Sequence, residues 1–194
     1  MEELLTLISA GALIPGISLL VKKFIVEKAF KALDNEMSIK DKNGKEFKFI
    51  ANSNEDVKAI FESELNFESE VKKKINKFIY AHKKYDFELS SGKYIDFLLC
   101  YGDKKIGIEA KSDINRFRAK WISDYFKENV EIDELVMILD SRVPESFLKE
   151  IEDLDYRKKI KFISSPRGKG LSQSINNVLE ADLGLNKALQ RTSR

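Results

Sequence analysis

Residues 93–113, KYIDFLLCYGDKKIGIEAKSD, decide the fold. Two runs rich in Ile, Leu and Phe, 94–100 and 105–110, have strand composition, and the Gly102-Asp103 pair between them is a strong hairpin-turn signal. Side chains alternate along a strand, so Glu109 and Lys111 are expected on the same face as Gly107, with Ile106, Ile108 and Ala110 on the other. On the partner strand, Asp96 is expected to face opposite to Ile95, Phe97 and Leu99, within reach of Glu109 across the ladder. The stretch 106–110 is too apolar for a solvated edge, so a carboxylate and an ammonium placed there must be paired or used. Two carboxylates and a neighbouring backbone carbonyl are hard oxygen donors of the kind Mg²⁺ or Mn²⁺ prefers. Asp96, Glu109 and Lys111 are therefore the candidate catalytic residues, with Asp96 and Glu109 as metal ligands.

Working outward, apolar residues at Phe67, Val71, Ile75, Phe78 and Ile79 mark one face of a helix over 67–82, with Asn66 as its expected N-cap. A separate helix is expected over 52–65, capped by Ser53 or Asn54. Glu68 lies at the border of the apolar face of the second helix, whereas Glu70 points away from it. After Lys111, Ser112 or Asp113 can cap a helix reaching about Asn129, with Ile114, Phe117, Trp121 and Tyr125 on one face and Arg116, Lys120 and Lys127 on the other. Phe117 and Trp121 belong in a core, and Tyr125 and Arg118 sit at its border, where they could reach phosphate. A strand at 134–139, a helix started by Pro144 and running to about 159, a strand at 160–165 and a helix at 172–183 complete the pattern. Strands alternating with helices imply an α/β fold with a mixed sheet and at least one parallel crossover.

The arrangement Asp96-x12-Glu109-Ala110-Lys111 resembles the PD-(D/E)xK, or restriction-endonuclease-like, nuclease superfamily. The run IEAKS at 108–112 looks like the corresponding strand of Mrr-type restriction endonuclease domains and of archaeal Holliday-junction resolvases. The likeness covers roughly residues 66–165, and Ile95 stands where that family usually has proline. It implies an αβββαβ core and Mg²⁺- or Mn²⁺-dependent hydrolysis of phosphodiester bonds. In that family the Asp and the Glu bind metal, and the Lys contacts the attacking water or the scissile phosphate. A first-helix glutamate often completes the metal shell; Glu68 is the candidate, with Glu64 in reserve if the helix starts earlier. A residue on the helix after the Glu-x-Lys strand often assists, which points to Tyr125. Ser91, in Ser90-Ser91-Gly92, resembles the segment that precedes the metal-binding Asp in the resolvases.

Composition sets limits. The chain has 194 residues and 43% hydrophobic content, enough to bury a real core. Its 34 basic and 32 acidic residues nearly cancel, so any DNA contact must come from a local patch. Lys72, Arg116, Arg118, Lys120, Arg167 and Lys169 are the candidate nucleic-acid contacts, the last two in the SPRGKG segment at 165–170. One histidine, His82, and one cysteine, Cys100, exclude intrachain disulfides, Cys-rich zinc sites and CxxC redox chemistry. No Gly-x-Ser-x-Gly elbow is present, which sets serine nucleophile chemistry aside.

Residues 1–65 read as an accessory segment preceding a nuclease-like domain at 66–194. Leu4 to Val21 is an uncharged run at the lower edge of what spans a bilayer, followed by Lys22-Lys23. A membrane anchor there would leave the remainder cytoplasmic. Gly11, Pro15 and Gly16 favour instead a packed helical hairpin, continued through 24–33. A β-hairpin is expected at 38–50 around Asn43-Gly44. The expected partner is DNA, with RNA as an alternative. A two-fold dimer is required if the chain is a structure-selective junction resolvase, and residues 1–65 would meet a protein partner or a membrane. The remaining alternative is a non-catalytic nucleic-acid-binding or membrane-tethered interaction protein.

Overall fold

The hairpin at the centre of the sequence is the centre of the sheet. The computed structural model describes residues 27–31, 36–40, 46–52, 54–92, 94–128 and 132–185. The first described elements are three strands, β1 (Glu27–Lys31), β2 (Glu36–Lys40) and β3 (Glu46–Ile50), which form an antiparallel sheet in that order. Helix α1 (Asn54–Ala81) follows, then β4 (Glu88–Ser90), β5 (Phe97–Tyr101), β6 (Lys104–Lys111), α2 (Lys120–Glu128), β7 (Glu134–Leu139), α3 (Glu145–Glu152), β8 (Ile160–Ser164) and α4 (Leu171–Asp182). Strands β4 to β8 form one mixed sheet in sequence order, antiparallel from β4 to β6 and parallel from β6 to β8. The protein is thus α/β, and its two parallel connections each carry a helix, as parallel pairing demands.

Alternation along the strands divides the interior into two layers. Ile106, Ile108 and Ala110 of β6 and Val136 and Ile138 of β7 pack with Phe67, Val71, Ile75 and Phe78 of α1 and Leu171, Ile175 and Leu179 of α4. Leu135, Met137 and Leu139 point the other way, to Trp121, Ile122, Tyr125 and Phe126 of α2 and Phe147 and Ile151 of α3. Phe117 and Trp121 are core residues, as their spacing predicts. A third, smaller cluster joins Phe47 and Phe49 of β3 to Ala51 and to Val57 and Ile60 at the start of α1.

Several elements differ from the sequence expectation. The two helices predicted over 52–65 and 67–82 are one helix of 28 residues, so Asn66 is an interior residue and not an N-cap. The boundary drawn between 65 and 66 falls inside it. The helix predicted from 112 to about 129 is divided. Asp113 caps a 3-10 turn at Ile114–Arg116, accepting from the Asn115 amide at 3.0 Å, Phe117 is extended, and α2 begins only at Lys120. All four apolar residues of that stretch are still buried, so side-chain burial tolerated a break in the backbone pattern. Helix α3 stops at Glu152, with a 3-10 turn at Arg157–Lys159. Residues 27–31 form a strand, not a continuing helix, because a short apolar run does not distinguish the two. The short edge strand β4 is not expected from the sequence, since the alternation of Phe87 and Leu89 with Asp86, Glu88 and Ser90 is too brief to stand out. Strands β2 and β3 pair as the expected hairpin, with Lys40 opposite Glu46. The run from Leu4 to Val21, the Asn43-Gly44 turn and residues 190–194 lie outside the described residues. Among the described residues no helix is long and apolar enough to cross a membrane.

Candidate active site

Glu109 and Lys111 occupy the C-terminal end of β6, and the register that pairs Phe97 with Ile108 brings Asp96 alongside Glu109. The Asp96 amide donates to Glu109 Oε2 at 3.1 Å, and the Ala110 amide donates to Asp96 Oδ2 at 2.7 Å. Two acids of like charge are thus held side by side by backbone N–H groups, the charge-assisted bonds that make burying a carboxylate tolerable. Lys111 Nζ lies 2.6 Å from Glu109 Oε1, and the Tyr125 hydroxyl donates to the same oxygen at 2.9 Å. Asp96, Glu109 and Lys111 are only 3%, 3% and 6% exposed.

The local geometry depends on small residues around Ile95. Ile95 is fully buried and packs in the α2–α3 layer, whereas Phe97 and Leu99 pack in the α1–α4 layer. The expectation that all three share a face is therefore corrected: residues 94–96 bend before β5 begins. A Cβ on Gly92 would stand 2.2 Å from Ile95 Cγ1, and one on Gly107 would stand 3.1 Å from Ile95 Cδ1. Ile95 is wedged between these two glycines, and the wedge turns the chain so that Asp96 meets Ala110 and Glu109.

Helix α1 supplies a third acid. Glu64 Oε1 accepts from the Ser112 amide at 3.0 Å and from the Ser112 hydroxyl at 2.8 Å, while Glu64 Oε2 lies 3.9 Å from Lys111 Nζ. The reserve candidate is thus the helix carboxylate that meets Lys111; Glu68, one turn later, is half-buried. A signal for Glu64 was present in the sequence. Val57, Ile60, Phe67, Val71, Ile75 and Phe78 form one stripe at helical spacing, and Glu64 fills the position where the next apolar residue belongs.

The electrostatics follow from burial and proximity. Burial pushes the Glu64 carboxyl up, opposed by the Lys111 charge and the Ser112 hydrogen bonds and reinforced by Asp96. Burial alone would pull the Lys111 ammonium down, but the Glu109, Glu64 and Asp96 carboxylates hold it well above its ordinary value. The Tyr125 phenol is pushed well up by burial and by the Glu109 charge, so it keeps its proton and donates it. Lys111 also lies 5.5 Å from the Phe117 ring centroid, a favourable cation–π separation.

The other expected residues divide into two groups. Lys72 is exposed on α1, 6.0 Å from the Phe97 ring centroid. Ser91, Arg167 and Lys169 are exposed, and Arg167 adopts a left-handed backbone at φ 58°. In the same loop the Gly168 amide donates to Asp140 Oδ1 at 3.1 Å. Arg116, Arg118 and Lys120 instead face carboxylates of the N-terminal part. Arg116 makes a two-pronged pair with Asp56 at 2.7 and 3.0 Å, Lys120 lies 2.7 Å from Glu36 Oε1, and Arg118 lies 3.8 Å from the same oxygen. His82 is half-buried, 2.9 Å from the Phe78 carbonyl and 3.3 Å from Glu180, away from these acids.

Three carboxylates around a single ammonium are hard donors with an excess of negative charge, which fits Mg²⁺ or Mn²⁺ in type and in sign. Among the described residues no group of three or more His, Cys, Asp or Glu side chains converges as a ready-made cage. Mg²⁺ does not require one, since it is commonly held by one or two carboxylates and keeps several waters. Compared with known proteins, the chain matches no family model, no curated protein and no solved structure.

Proposed function

We propose that this chain is a metal-dependent nuclease of the restriction-endonuclease-like type, hydrolysing phosphodiester bonds in DNA. The observation that carries the reading is the buried group of Asp96, Glu109 and Lys111 at the end of β6, joined by Glu64 and Tyr125 from two different helices. Perturbed, buried charges gathered from separate elements are a mark of functional sites. The order α1, β4 to β6, α2, β7 agrees with the αβββαβ core that the sequence resemblance implies.

Asp96 and Glu109, with Glu64, would hold Mg²⁺ or Mn²⁺. When bound, such an ion supplies an acidified water and neutralises charge on the phosphoryl oxygens. The carboxylates around Lys111 favour its charged form, so it acts as a positive charge toward phosphate. Tyr125 orients the Glu109 carboxylate through its hydroxyl, and Ser112 does the same for Glu64. Phe117 walls one side of Lys111 and keeps water from it.

The test is to incubate supercoiled plasmid, linear duplex, a four-way junction and single-stranded RNA with the protein and with Lys111→Ala, with Mg²⁺, Mn²⁺ or EDTA. Metal-dependent cleavage by the parent, lost in the variant, is the expected result. Preference for the junction would favour a resolvase. Cleavage that survives Lys111→Ala would remove the site from the chemistry. The near-complete burial of the three residues favours one second reading, a non-catalytic nucleic-acid-binding or interaction protein in which they serve as an internal ion pair. Calorimetry separates the two: Mn²⁺ uptake that disappears in Asp96→Ala supports the enzyme, and no uptake supports the binding protein.

A further inference from the structure

The three-stranded N-terminal sheet stands over the candidate site, and three features set it apart from the domain beneath. First, it has its own small core. Phe47 and Phe49 pack with Ala51, Val57 and Ile60, and Phe47 meets the Phe61 ring edge-on at 5.7 Å between centroids. Among the described side chains of the sheet, Ile50 at the end of β3 reaches the α2–α3 layer. Second, among the described residues ion pairs tie it to α2 and the segment before it: Glu36 to Lys120 at 2.7 Å and to Arg118 at 3.8 Å, and Lys48 to Asp124 at 2.8 Å; beside them Arg116 donates to the Ile50 carbonyl at 3.4 Å and pairs with Asp56 in the first turn of α1. Third, Phe47, Lys48 and Phe49 of β3 line one small pocket together with Glu64, Lys111 and Arg116. The sheet therefore closes the side from which a phosphodiester would approach Lys111.

From this arrangement we infer that β2 and β3 form a self-inhibitory lid, latched by ion pairs to the cations that would otherwise grip phosphate. The inference rests on the nuclease reading for what it inhibits, but not for whether the lid moves. Glu36 and Asp56 place carboxylates against Arg116, Arg118 and Lys120, where a polyanion's phosphates would compete for the same donors. Partly exposed ion pairs are weak individually and screened by salt, so once they yield, opening parts only the small cluster between β3 and the start of α1 and leaves the two main cores intact. A polyanionic substrate bearing several phosphates displaces both acids at once, which couples opening to binding. The charge on the lid thus selects for an extended nucleic-acid chain over a single phosphate.

The experiment reads opening directly, by hydrogen exchange at the amides of residues 46–50, without substrate or metal. The proteins compared are the parent, Glu36→Lys, Lys48→Asp, and the swap Lys48→Asp with Asp124→Lys. Each reversal is expected to speed exchange in β3 by about tenfold, replacing an attraction by a repulsion, with the swap returning it toward the parent rate. Amides of β6 and of the second half of α1 should stay protected, which separates opening from unfolding. Unchanged exchange in both reversals overturns the lid. Affinity for a short labelled DNA duplex in EDTA is then measured. It should rise in Lys48→Asp, where the added negative charge cannot itself attract DNA. Faster exchange with no gain in duplex affinity overturns the inhibitory role. A protein that opens, binds duplex and cleaves no nucleic acid with Mg²⁺ or Mn²⁺ rejects the nuclease reading and leaves the lid standing.

Discussion

Lysines 111 and 161 make the same pairing at opposite ends of the parallel strands. Lys111 closes β6 and meets Glu109 and Glu64; Lys161, near the start of β8, meets Asp182 at the end of α4 and Glu134 at the start of β7, the latter at 2.9 Å. The residue types are alike, but the surroundings are not. The Lys111 side chain is 8% exposed, and its carboxylate partners are held by the amides of Asp96 and Ser112. The Lys161 side chain is 40% exposed, and it reaches from solvent to the Glu134 and Asp182 side chains, the latter itself buried. The contrast teaches that a lysine with two acids is not in itself a site. What distinguishes the Lys111 group is a scaffold of backbone amides that meets its carboxylates in a place that disfavours charge.

That contrast can be broken or sharpened by measurement. The largest expected effect is from Lys111→Met, which leaves Glu109 and Glu64 buried without their cation and should cost about 3–5 kcal/mol in urea unfolding. The equivalent Lys161→Met should cost less, about 1–2 kcal/mol, because water reaches Glu134 and only the buried Asp182 carboxyl loses its partner outright. Equal losses would abolish the distinction.

Next in size is metal. Saturating Mn²⁺ should stabilise the parent by about 2–3 kcal/mol when free metal is roughly a hundred times its dissociation constant. The gain should vanish in Asp96→Asn and persist in Glu134→Gln. Persistence in Asp96→Asn would place metal elsewhere.

Tyr125→Phe should cost about 1–2 kcal/mol, since it removes a buried donor from Glu109 while keeping the ring that packs with Phe117. A loss no larger than the few tenths of a kcal/mol typical of surface changes would mean that Lys111 alone satisfies that oxygen.

The smallest effect is the most specific, because it concerns pH. Burial pushes the Asp182 carboxyl up, with the Lys161 hydrogen bond pulling it down and Glu134 adding to the rise. The folded protein therefore holds a proton on Asp182 at pH values where the unfolded chain has released it. Stability from this group is greatest below the unfolded value and falls as pH rises through the folded one. Lys161→Ala removes the downward pull, so the variant's deficit of about 1 kcal/mol at neutral pH should shrink as pH is lowered toward about 4. A deficit independent of pH would show that the lysine's stem, and not its charge, is what matters.

The elements of this site were unequally legible in the sequence. The β5–β6 hairpin was readable because its signals are local: a two-residue turn and strict alternation place Glu109 and Lys111 on one wall, with Ile106, Ile108 and Ala110 on the other. Glu64 was harder because Asn66 resembles a helix start, and a residue that favours caps also sits unremarked on a helix surface when packing extends the helix on both sides. The bend at Ile95 was hidden because its cause, two glycines flanking one side chain, lies partly on another strand. Arg116, Arg118 and Lys120 were legible as a basic stretch and illegible as a latch. Nothing near them in sequence records that Glu36 and Asp56 land opposite, since those contacts span 60 residues or more.

The unbroken run of α1 has a consequence for inheritance. Its first turns carry Val57 and Ile60, which seat the N-terminal sheet; its middle carries Glu64; and its later turns carry Val71, Ile75 and Phe78 of the main core. At 1.5 Å per residue, 28 residues make a rod about 42 Å long. A recombination joint anywhere within it would separate an acid of the site from its lysine, or the sheet from its seat. The two parts are therefore not exchangeable cassettes: a descendant that acquires a new N-terminal sheet must also acquire the opening turns of the helix that reaches Lys111.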